Sequence, residues 1–125
     1  LEIGEWHIED DVWVRLAKYE IDGGLINFDF EIWNKTDKTL YFSLQPELNF
    51  SMTDNNNNQY EILEAHTRKI TVEVNERGIM MSGFKSTTVQ FDNDPLYTPG
   101  VTDLFITMEY LSEIDRAIFH VVPGQ

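Results

Sequence analysis

Cysteine does not occur anywhere in the 125 residues. That absence excludes disulfides, thiol nucleophiles and cysteine-ligated metal centres. Positive charge is scarce: nine Lys and Arg stand against 22 Asp and Glu, for a net charge of −13 and a pI near 4.4. So acidic a chain repels phosphate backbones and anionic membranes, and no stretch of sequence gathers the few cations into a patch. Nucleic acid is therefore not an expected partner. Long apolar runs are missing too. None approaches the roughly 18 residues of a membrane span, so no insertion of this chain is expected. The motifs of common chemistries are also absent. No G-x-S-x-G surrounds any serine, and His7, His66 and His120 fall in separate segments without metal-ligand spacing. The chain is read as non-enzymatic, with no catalytic residues.

What is present is alternation. Apolar residues make up 42% and aromatics 13%, enough to build one ordinary domain over residues 1–125 without staples. In "LINFDFEIW", Ile26, Phe28, Phe30 and Ile32 alternate with Asn27, Asp29 and Glu31, the period of a strand with one buried face. Val12, Val14 and Leu16 alternate before it, and "DGG" between the two runs supplies the glycines of a hairpin turn. Leu40 and Phe42 follow with Leu44, Pro46 interrupts, and Leu48, Phe50 and Met52 resume. Later runs are Ile70, Val72 and Val74; Val89 and Phe91; Leu104, Ile106, Met108 and Tyr110; and Ile118, His120 and Val122. One helical turn is expected around Glu64 to Thr67. About eight to ten short strands between polar turns predict an all-β, antiparallel two-sheet sandwich. Its core should include Ile26, Phe28, Phe30, Ile32, Leu40, Phe42, Val72, Phe91, Ile106 and Met108.

Oxygen-rich loops are the candidates for metal. "DNNNNQ" places Asp54, Asn56 and Asn58 at alternate positions, like the opening of a calcium loop. Gln59 stands where that loop needs Gly, however, and Ala65 where it needs a bidentate Glu. Asparagines tolerate left-handed backbone and bond their own chain, so this run is read as a turn. Asp10 and Asp11 adjoin, and Asp92 and Asp94 flank Asn93. "DND" ahead of Pro95 is read as a loop opener, so no metal or cofactor is predicted, and Asp92 and Asp94 are the residual candidates for calcium.

Trp6, Trp13 and Trp33 lie outside the alternating core series, and Trp33 has the parity of Asp29 and Glu31. On the outer face of the first hairpin they would form a platform for a sugar ring or a protein partner. Two N-glycosylation sequons occur, at Asn34 and Asn49; in a suitable secretory host Asn34, in a turn, is the better placed acceptor of the two, and in any other host both are chance matches. Leu1, Ile3, Trp6 and Ile8 make an apolar N-terminal segment. It should pack on its own domain, the alternative being addition to a neighbouring subunit in a surface filament. The chain opens at Leu1 rather than Met, as a processed or trimmed product would.

The segment "INFDFEIWNKTDKTLYFSLQPELNFSMTDNNNNQYEI" resembles a prokaryotic extracytoplasmic immunoglobulin-like family of unknown function, whose members are often lipoproteins or secreted. The alternating strand ending in Asn, the charged turn "NKTDK", the "LYFSL" strand, the "TD" turn and Tyr60 carry the resemblance. The Asn-only turn departs from the Gly usual there. The resemblance implies an immunoglobulin-like sandwich and a secreted or cell-surface location. It implies protein recognition or assembly as the role, with carbohydrate binding through the tryptophans as the alternative, and brings no catalytic residues.

Overall fold

The alternating residues 25–34 form the middle of the larger of two facing sheets. The computed structural model describes residues 1–22, 25–42, 45–64, 70–86 and 100–123. In chain order the elements are β1 (His7–Glu9), β2 (Val12–Asp22), β3 (Leu25–Asn34), β4 (Leu40–Phe42), α1 (Pro46–Asn49) and β5 (Phe50–Asp54). Then come β6 (Glu61–Ile62), β7 (Ile70–Val72), β8 (Arg77–Lys85), β9 (Leu104–Leu111) and β10 (Ile114–Val121). One sheet has the order β1-β2-β3-β8-β6, the other β10-β9-β5, and β4 pairs with β7. Every pairing is antiparallel. The chain is an all-β antiparallel sandwich.

The buried face of β3 packs directly on the second sheet. Phe30 stacks on Phe50 of β5, with ring centroids 6.1 Å apart, and meets Phe119 of β10 at 5.1 Å. Ile26, Phe28, Phe30, Ile32, Leu40, Phe42, Val72, Ile106 and Met108 are all core residues, as the alternation predicts. Phe91 lies outside the described residues, as do Leu44 and Val89. The β4–β7 pair closes on the Arg77 end of β8. There a Cβ at Gly78 would stand 3.0 Å from the Val72 Cγ2, so a larger residue would require Val72 to shift by a few tenths of an ångström.

The N-terminal segment crosses between the sheets. Leu1 lies along β10, its N donating to the Ile118 carbonyl and its carbonyl accepting from the His120 N–H. Gly4, at φ +85°, turns the chain so that its N–H reaches the Leu16 carbonyl of β2. β1 then pairs with β2. Only glycine adopts that φ without a Cβ penalty, so Gly4 is where the segment leaves one sheet for the other. Of the four apolar residues expected to pack on the chain's own domain, Leu1 lies against the core and Trp6 against Trp13 and Trp33, whereas Ile3 and Ile8 are exposed.

Several local readings are corrected. Pro46 opens a one-turn helix instead of only interrupting a strand, and Leu48, on that helix, is exposed. Val74 is exposed because β7 ends at Val72. Tyr110 leaves the core face: its φ of 55° breaks the alternation, and Leu111 is buried instead. In β10 the inward residues are Ala117, Phe119 and Val121, so Ile118 and His120 point away from the core. Burying the Phe119 ring against Phe30 outweighs burying Ile118. The expected helical turn reaches only Glu64 among the described residues.

Neither sequon asparagine is available as an acceptor. Asn34 is completely buried, and its Nδ2 donates to the carbonyls of Lys38 and Val72. Asn49 is buried too, and its Nδ2 donates to the carbonyls of Glu109 and Tyr110. The reading of Asn34 as the better placed acceptor is thereby overturned: its amide holds the β3–β4 turn together and cannot be reached.

Candidate functional site

Antiparallel pairing of β2 with β3 sets Trp13 directly opposite Trp33 on the outer face of the five-stranded sheet. The Gly4 crossing delivers Trp6 beside them. Ring centroids lie 5.7 Å apart for Trp6–Trp13, 6.1 Å for Trp6–Trp33 and 5.5 Å for Trp13–Trp33. The rings are inclined to one another by 68°, 51° and 61°, so they form a cluster and not a flat row. All three are half-buried. Edge-to-face contacts of this kind stabilise beyond the area they bury, by about 1 kcal/mol a pair.

Cations sit on these rings. Lys35 Nζ lies 3.8 Å from the centroids of both Trp13 and Trp33. The Arg77 guanidinium lies 4.0 Å from Trp33, and that of Arg15 lies 4.5 Å from Trp6. The scarcity of cations in the sequence hides this gathering: three of the nine converge here from β2, β8 and the turn after β3. Arg15 could have been found, since it follows Trp13 by two residues and shares its face. Lys35 follows Trp33 by two residues in the same way, but Arg77 could not have been found, because the pairing of β3 with β8 places it. Glu31, between Arg15 and Arg77, accepts from both at 3.1 Å and balances part of the charge. Arg15 Nε is buried without a hydrogen-bond partner among the described residues. The β8 residues opposite Glu31 and Asp29 are Ile79 and Met81, both exposed, which extend the face with apolar surface.

At one end this face runs into an open depression of about 580 Å³ lined by Asp10, Asp11, Asp37, Lys35, Lys38 and Glu113, among others. Asp10 and Asp11 form the two-residue turn between β1 and β2, at φ 50° and 63°. Aspartate reaches that region more readily than most residues, at some cost. The Asp11 carbonyl accepts from the Lys35 N–H at 3.0 Å, which fixes the Lys35 backbone against the turn. Among the described residues no three His, Asp or Glu side chains group as metal ligands. The calcium candidates Asp92 and Asp94 lie outside the described residues, as does His66.

The asparagine run is organised by its own aspartate. Asp54 is buried and accepts from the backbone N–H groups of Asn56 and Asn58, from Asn58 Nδ2 and from the Tyr60 hydroxyl at 2.7 Å. Burial opposes its ionisation, but the hydrogen bonds from Tyr60 and the asparagines outweigh burial and hold its pKa below the usual value. Burial, with Asp54 beside it, pushes the Tyr60 hydroxyl up. Asn55 ties the loop to the segment before β9, accepting from the N–H groups of Thr102 and Asp103. The run turns the chain, as its composition predicts.

A second polar cluster fastens the N-terminus. His120 Nδ1 meets Glu2 at 2.8 Å and its Nε2 meets Asp103 at 2.6 Å, while its ring stacks on Phe105. A carboxylate faces each ring nitrogen. The hydrogen bonds to Glu2 and Asp103 raise its pKa.

No family model and no curated protein matches the sequence. Solved structures share the fold. The yjhA protein of Bacillus subtilis superposes with a TM-score of 0.64 at 7% identity, over 96% of this chain and 98% of that one. The candidate lipoprotein ycdA of the same organism gives 0.62 at 6% identity, over 96% of this chain. This chain spans 39% of the length of that protein. An uncharacterized β-sandwich protein of Clostridium difficile 630 gives 0.51 at 11%, over 96% of this chain and 93% of that one. At these identities the likeness is one of fold.

Proposed function

We propose that this chain is a non-enzymatic, extracytoplasmic binding domain that docks a protein partner on the outer face of its five-stranded sheet. The observation that carries the reading is the Trp6–Trp13–Trp33 cluster with Arg15, Lys35 and Arg77 upon it. Tryptophan and arginine are the side chains that most often anchor protein interfaces, and pre-packed aromatics lose little entropy when a partner arrives. Exposed Ile79 and Met81 beside the cluster widen the apolar area that a partner would cover. Sugar platforms present open ring faces to stack on; here the rings are tilted and cations occupy their faces, which favours a protein over a glycan. The fold shared with a candidate lipoprotein supports an extracytoplasmic location.

Site-specific photo-cross-linking in the producing cell tests the reading. A photoreactive residue at position 79, on the outer face, is expected to capture one defined protein, and Trp33→Ala should abolish the capture. The same probe at position 41, which is exposed on β4, should not capture that protein. Equal capture from both positions, or capture indifferent to Trp33, contradicts the proposal.

A further inference from the structure

Lys35 is the cation the tryptophans hold most closely, and it holds two of them at once. Its Nζ stands equidistant from Trp13 and Trp33, at 3.8 Å from each ring centroid. Those rings are inclined by 61°, and Trp6 stands against both. Non-parallel indoles around one ammonium constitute an aromatic cage, in which the ring quadrupoles favour a cation that has shed water. The present occupant is removable. Lys35 is exposed and forms no ion pair among the described residues, whereas Arg15 and Arg77 are tied to Glu31. Its backbone is held by Asp11, so the side chain can leave without disturbing the turn. Asp10, Asp11 and Asp37 border the same opening, and the net charge of −13 concentrates cations near it.

We infer that the cleft between Trp13 and Trp33 is a binding site for an alkylammonium group, and that Lys35 is its resident occupant, displaced when the ligand enters. The inference rests on the reading of this face as a recognition surface and specifies the chemistry it takes. Two sources supply such a group: a free quaternary ammonium compound, or a lysine side chain on a partner protein. A quaternary ammonium is more weakly hydrated than the Lys35 ammonium, so it gives up less solvation on entering the cage.

Nuclear magnetic resonance titration tests the inference. Tetramethylammonium chloride and Nα-acetyl-lysine methylamide are added separately, each against sodium chloride at equal ionic strength. In the free protein the ring currents of two indoles shield the Lys35 ε-methylene. Tetramethylammonium is expected to move the Trp13 and Trp33 indole signals and return that methylene to its solvent position. Lys35→Ala empties the cage and should tighten binding about tenfold. Trp33→Phe, which keeps a smaller ring and guards against loss of fold, should weaken it. A response to tetramethylammonium alone assigns the site to quaternary compounds; a response to the lysine derivative assigns it to a partner's lysine. The inference is overturned if Lys35 stays shielded throughout and Lys35→Ala follows sodium chloride alone. Should partner capture through position 79 persist in that case, the recognition reading stands without the cage.

Discussion

Removing the Asp54 carboxylate takes away the acceptor shared by four donors in a loop that also clips the segment before β9. Asp54→Ala is expected to cost about 3 kcal/mol in urea unfolding, the range for charged buried hydrogen bonds. Its folded pKa lies below 3.8, so its contribution is present above that value and is lost as pH falls through the depressed one. His120 acts in the opposite sense. Its folded pKa lies above 6.5, so the stability it adds is complete below pH 6.5 and disappears as pH rises through the higher folded value. Glu2 and Asp103 are the carboxylates that face it. The melting-temperature gap between the wild type and His120→Gln should accordingly be largest in mild acid and close at alkaline pH. A gap independent of pH would contradict this. The sequence showed that the asparagine run turns the chain, since the missing Gly and Glu of a calcium loop are local facts. It could not show that Asn34 and Asn49 are buried. Burial depends on strands 38 and 60 residues away, and a sequon looks the same on either side of a surface.

Among the elements, the β1–β2 turn sets two adjacent aspartates at positive φ. Two consecutive positive φ values fit Asn-Gly better than Asp-Asp. Asp10→Asn with Asp11→Gly should stabilise the protein by about 1 kcal/mol in denaturant unfolding, while the Lys35 to Asp11 backbone bond remains. A loss of stability would mean that the aspartate side chains hold the turn by other means. β3 was legible throughout, because its core face and its wet face alternate for ten residues without interruption. β9 was legible until Tyr110, where a left-handed residue shifts the alternation by one. The tryptophan cluster was legible in part. Parity placed Trp33 on the outer face, and the hairpin register placed Trp13 opposite it. Trp6 arrives through a crossing between sheets whose only local sign is Gly4, and Arg77 comes from a strand that no local pattern connects to the cluster.

For the whole molecule, an acidic sandwich carries a small cationic and aromatic face on its larger sheet. Core packing between Phe30, Phe50 and Phe119 makes the sandwich rigid enough to hold that face in one arrangement before any partner arrives. The central claim is that the tryptophan face is where binding energy is concentrated. The most direct measurement is calorimetric titration of the protein captured through position 79 into the wild type and into Trp13→Ala with Trp33→Ala. Circular dichroism should first establish that the double variant keeps its strands. The expected result is a loss of affinity of at least about thirtyfold, the mark of an interface hot spot. Equal affinity for the folded double variant would contradict the claim and place the binding surface elsewhere on the sandwich.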